Sequence, residues 1–101
     1  LMFQNSRYIT RGIQAEIPAF TTMILWEMIE TARRKTPLDY LQVFRLYPAH
    51  EQGVAMQKVI HTQEQPPYRK TLCFPCENPV RAKIFCIDDE THSTMLLADE
   101  Y

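Results

Sequence analysis

Two cysteines stand two residues apart in Cys73-Phe74-Pro75-Cys76, a spacing used by thiol redox pairs and by one half of a tetrahedral zinc site. A redox pair needs a stabilised thiolate, normally at a helix N-terminus. Cys73 instead closes a predicted strand, and Asn78-Pro79 follows in a loop. Zinc needs two more ligands, which Cys86 with His92 or His61 can supply as a Cys₃His set. Cys86, however, shares a strand face with Ala82 and Ile84, and no second close pair of ligands follows. The preferred reading is three small thiols, buried or half-exposed, with Cys73, Cys76 and His92 as the candidate metal ligands.

Acid–base chemistry has one candidate set: His61, Glu64, Asp88 and His92, the components of a small hydrolase or a metal-assisted enzyme. No serine or cysteine elbow accompanies them, and the preferred reading of His61-Thr62-Gln63-Glu64 is polar side chains on the solvated face of an edge strand. Asp88-Asp89-Glu90 with His92 crowds oxygens into one turn, but aspartate is itself a turn former and the spacing of a calcium loop is missing. Arg7, Arg11, Arg33, Arg34 and Lys35 could contact nucleic acid if they shared a face. The last three also suit a helix C-terminus, where cations offset the dipole. With only Gly12 and Gly53 in the chain, no glycine-rich phosphate cradle forms, and no cofactor is implied.

These residues must be positioned by elements that the hydrophobic period reveals. Residues 7–13 read as a first strand. Pro18 opens a helix over about 18–35, marked by Ile17, Phe20, Ile24, Leu25, Met28, Ile29 and Ala32 at spacings of three and four. Alternation then takes over: residues 40–47, closed by Pro48; 54–64; 68–74 after Pro66-Pro67; and 82–87, apolar on both faces as a central strand is. The acidic turn leads to residues 93–98, read as a last strand. The expected fold is α+β, in the order β-α-β-β-β-β-β: one N-terminal amphipathic helix on a mainly antiparallel sheet of about five to six strands.

Several segments carry a family resemblance: Arg7-Tyr8-Ile9-Thr10-Arg11-Gly12-Ile13, Asp39-Tyr40-Leu41-Gln42-Val43-Phe44, Ile60-His61-Thr62-Gln63-Glu64-Gln65-Pro66, and Lys83-Ile84-Phe85 through Ile87-Asp88-Asp89 to His92-Ser93-Thr94-Met95-Leu96-Leu97-Ala98. Together they resemble the bacterial domain of unknown function 960, small proteins of Gram-positive bacteria and their mobile elements. The resemblance covers nearly the whole chain and implies a bacterial cytoplasmic protein complete in itself. It brings no catalytic residues, and the cysteines are not part of its pattern.

The bulk properties agree. A chain of 101 residues with 46% hydrophobic and 23% charged residues fits one domain, 1–101, with one core. A net charge of −1 provides no global field for nucleic acid and argues against it as a partner. No apolar run is long enough to span a membrane, and three cysteines without an export signal fit the reducing cytoplasm. The functional expectation is a non-enzymatic binding or accessory module that works through protein–protein contacts or as a homo-oligomer. A small enzyme built on His61, Glu64, Asp88 and His92 and a nucleic-acid-binding accessory protein are the alternatives.

Overall fold

The computed structural model describes residues 1–101. In chain order the elements are β1 (Ser6–Ile9), α1 (Arg11–Glu16), α2 (Ala19–Arg33), β2 (Leu41–Glu51), β3 (Val54–Gln63), β4 (Tyr68–Pro75), β5 (Ala82–Asp88), β6 (His92–Leu97) and a closing 3₁₀ turn, Ala98–Glu100. The six strands form one sheet in the order β1-β6-β5-β2-β3-β4. All neighbours are antiparallel except β1 and β6. The α+β class and the mostly antiparallel sheet are as the sequence pattern predicts. The chain also has a short helix that the pattern concealed.

That helix, α1, replaces the second half of the expected strand 7–13. Ile9 and Ile13 are four apart, a spacing that fits one strand face and one helix face equally. Local capping decides between them. The Thr10 side chain accepts the Ile13 N–H, and the Glu100 carboxylate, returning from the far end of the chain, accepts the Gly12 N–H at 3.2 Å. A Cβ on Gly12 would lie 2.6 Å from that carboxylate, so the close approach needs glycine.

Strand β2 runs through Pro48 to Glu51 instead of stopping at Tyr47. Its last pair with β5 is Leu46–Ala82, so beyond that point only β3 lies alongside, and a proline without an N–H is tolerated. Gln52 (φ 49°) and Gly53 (φ 81°) then reverse the chain in the left-handed region, as a two-residue hairpin turn requires.

Helix α2 covers one face of the sheet. Leu25, Met28, Ile29 and Ala32 are buried at helical spacing against Phe44 and Leu46 of β2, Val59 of β3, Ile84 and Cys86 of β5, and Met95 and Leu97 of β6. The molecule measures 42 × 29 × 19 Å, and its thinnest dimension holds one helix layer and one sheet. The second sheet face therefore carries no helix, and only Tyr101 packs on it, edge-on against Phe85. Along β2 the register alternates buried Gln42, Phe44 and Leu46 with half-buried Leu41, Val43, Arg45 and Tyr47.

Candidate functional site

His61 does not lie on a solvated edge. Strand β3 is interior, between β2 and β4, and His61 points under the helix with no exposed surface. Its ring stacks on Phe44 with centroids 4.3 Å apart, and Tyr68 meets it edge-on. A hydrogen-bonded chain settles its protonation. The Gln63 amide donates to the Pro37 and Pro66 carbonyls, so the Gln63 oxygen accepts from the Asp39 N–H and the Gln42 amide. The Gln42 oxygen is then left to accept from His61 Nε2, at 2.6 Å. Nδ1 carries the lone pair and has no partner. Burial lowers the imidazole pKa to about 4, so the ring is neutral at physiological pH. This network anchors residues 37–39 and 66 to the sheet.

Asp88 is equally committed. It is 4% exposed and accepts hydrogen bonds from the Phe3 N–H, the Glu90 N–H at 2.7 Å and the Asn5 amide at 3.1 Å. Burial raises its pKa, but these three donors outweigh burial and hold the carboxyl below its ordinary value. Ser93 hydroxyl donates to Asn5 and completes the clamp on the N-terminal segment. Asp89 caps the same turn by accepting the Thr91 and His92 N–H groups, and its other oxygen lies 3.3 Å from the His92 ring. Tyr8 packs edge-on against that ring. Glu64 is exposed beyond the end of β3.

Of the four acid–base candidates, His61, Asp88 and His92 are held in structural contacts and Glu64 stands apart, exposed. No three His, Cys, Asp or Glu side chains cluster as metal ligands would. Cys73 is exposed on β4, Cys76 is half-exposed after it, and Cys86 is buried in the core, where burial pushes its thiol pKa up. Of the basic candidates, Arg7 and Arg33 are neutralised on one carboxylate. Arg7 pairs with Glu30 at 2.7 Å and lies over the Trp26 ring, while Arg33 holds the same carboxylate at 3.1 Å. Those bonds, Arg33 foremost, keep Glu30 below its ordinary pKa.

What the fold does assemble is the bare sheet face. Arg45 of β2 is directly opposite Lys83 of β5, and Tyr47 is opposite Lys58 of β3. Arg69 of β4 pairs with Thr62 on the same face. Arg81, just before β5, lies over the Tyr47 ring at 5.3 Å, and Lys83 over Phe85 at 5.5 Å. None of these five cations has a carboxylate within 4.0 Å. Arg45, Tyr47, Arg81 and Lys83 line a shallow hollow of about 270 Å³. A second hollow of about 290 Å³, along Tyr40, Leu41, Val43 and Thr62, continues from Arg45 toward the opposite end of the strands. Alternation marks each strand's contribution in the sequence, but the sequence does not place β5 beside β2, so Arg45 and Lys83 stay unconnected until the topology is known.

Residues 6–100, nearly the whole chain, match the family model described as staphylococcal protein of unknown function (DUF960). The chain belongs to this family. A crystal structure of a protein of unknown function from Enterococcus faecalis shares the fold, with a TM-score of 0.77 and 25% identity over 96% of this chain and 91% of that one. No curated protein matches the chain.

Proposed function

We propose that this DUF960 protein is a non-enzymatic binding module whose working surface is the uncovered face of its sheet. One observation carries the reading. Strands β2, β3 and β5 contribute half-buried apolar or aromatic side chains to that face, Leu41, Val43, Ile60, Phe85 and Ile87, and no helix covers them, Tyr101 alone packing edge-on against Phe85. A contiguous, partly apolar surface rimmed by charge is the usual character of an interaction site. The sheet edges are weaker candidates. Strand β1 has four residues, and the outer strand β4 carries Arg69 and Lys70 and ends in Pro75, devices that discourage strand addition. Of the titratable groups that might run a reaction, His61, Asp88 and His92 are engaged in clamps and caps and Glu64 is exposed without them beside it, which supports binding over catalysis.

Oxidative footprinting in cells tests this reading. Tyr47 and Phe85 on the sheet face should be protected relative to the purified protein. Phe20 and Met23, exposed on α2, should label equally in both settings. Equal labelling of all four in both settings would contradict the reading.

A further inference from the structure

The cations on the bare face identify the class of partner. The chain as a whole is nearly neutral, yet its charges are partitioned: the carboxylates lie on the helices, in turns and at strand ends, whereas the bare face carries cations along its strands. Arg45 and Lys83 are directly opposed, an arrangement that destabilises a sheet when no counter-charge lies between. Carboxylates flank the patch in the neighbouring hollows, Glu16 and Asp99 beside Arg81 and Lys83 and Asp39 and Glu64 beyond Arg45, but none reaches salt-bridge distance. An unneutralised opposition of this kind fits a ligand that brings its own negative charge.

The extent of the patch narrows the choice further. Cations occur on β5, β2, β3 and β4, across three interstrand gaps of about 4.8 Å each, so the patch is roughly 14 Å across, with Lys58 and Arg69 displaced to opposite sides of the Arg45–Lys83 level. That length exceeds one phosphate or carboxylate and suits an extended polyanion. Aromatic rings lie within the patch, Tyr47 beneath Arg81 and Phe85 beneath Lys83, with Tyr101 edge-on to Phe85. Cations that follow a backbone, interleaved with rings on which bases stack, are how sheet surfaces hold single strands; an acidic peptide uses the cations but has no need of the rings.

We propose that the bare sheet face binds single-stranded nucleic acid, its phosphates on Arg45, Lys58, Arg69, Arg81 and Lys83 and its bases on Tyr47 and Phe85. The inference rests on this face being the working surface. On binding, Arg81 and Lys83 leave the ring faces for phosphates, and the bases take their places.

Fluorescence anisotropy with labelled oligo(dT) and oligo(U) 12-mers tests it on the full chain, with a 12-base-pair duplex and polyglutamate as competitors. Both single strands should bind, and five phosphate contacts predict a slope of log K against log salt of about −3.5. Arg45→Ala with Lys83→Ala should weaken binding at least tenfold and flatten that slope by about 1.4. Tyr47→Ala should weaken it at least about fivefold without changing the slope. Lys58→Glu, at an exposed site, gives a second charge variant that leaves the core untouched. Arg34→Ala with Lys35→Ala, at the end of α2, should bind as the wild type does. No binding at low salt, equal loss in the Arg34/Lys35 variant, or displacement by polyglutamate in preference to oligonucleotide would overturn the inference. Sheet-face protection in cells alongside any of those outcomes would leave the face as the working surface and remove only nucleic acid as its ligand.

Discussion

At the residue scale, His61 shows how a side chain suited to chemistry can be consumed by architecture. Its pKa in the folded protein, about 4, lies below the ordinary 6.5, so between these values the unfolded chain binds a proton that the folded protein excludes. Stability is therefore fully present above about pH 6.5 and is lost as pH falls toward 4, by roughly 3 kcal/mol from this group. Urea unfolding at pH 7.0 and 4.5 measures that loss. His61→Leu should remove most of the pH dependence in this window. At pH 7 it should cost about 1–3 kcal/mol, because the Gln42 oxygen is left buried without a donor. A wild type equally stable at both pH values would show that the ring is not excluded from water as described.

The sequence identifies His61 as a singular residue but not its surroundings. Its neighbours Gln42 and Gln63 lie on two strands, and only the Phe44–His61 register brings the three together. Polar residues at three buried positions also broke the apolar alternation that would have marked the inner face. For that reason His61 and Gln63 read as solvated when both are buried on β3, as Gln57 is.

At the scale of elements, α2 was legible because its apolar residues recur over fifteen residues and Pro18 and Pro37 bracket it. Helix α1 was not, because six residues give too short a run to separate the two periods, and its capping partner Glu100 is 88 residues away from Gly12 in sequence. This contact makes a prediction of opposite signs. Gly12→Ala in the wild type should lower the melting temperature, since the new methyl displaces the Glu100 carboxylate from the Gly12, Thr10 and Leu97 donors. With Glu100→Ala already present, the same Gly12→Ala should stabilise by up to about 1 kcal/mol, the ordinary advantage of alanine in a helix. A thermal-melt double-mutant cycle reads both values, and additive effects would refute the contact.

At the scale of the whole molecule, the class of fold followed from one helix and a run of strands, but the strand order did not. Strands β2, β3 and β4 pair in sequence order, whereas β5 returns to the other side of β2 and β6 carries β1 in parallel. That crossing is what aligns Arg45 with Lys83 and turns single charges on four strands into one surface. A net charge of −1 concealed the surface because the helices and turns supply the opposing carboxylates elsewhere.

The account depends most on the bare sheet face being the surface that works. Site-specific photocrosslinking measures this directly, with a benzophenone side chain at Val43 on that face and, separately, at Glu27 on the exposed side of α2. Irradiation in cells should give a discrete crosslinked species from Val43 and none from Glu27. The Val43 product should shorten on nuclease treatment if nucleic acid is the ligand. Crosslinks from Glu27 with none from Val43 would contradict the account.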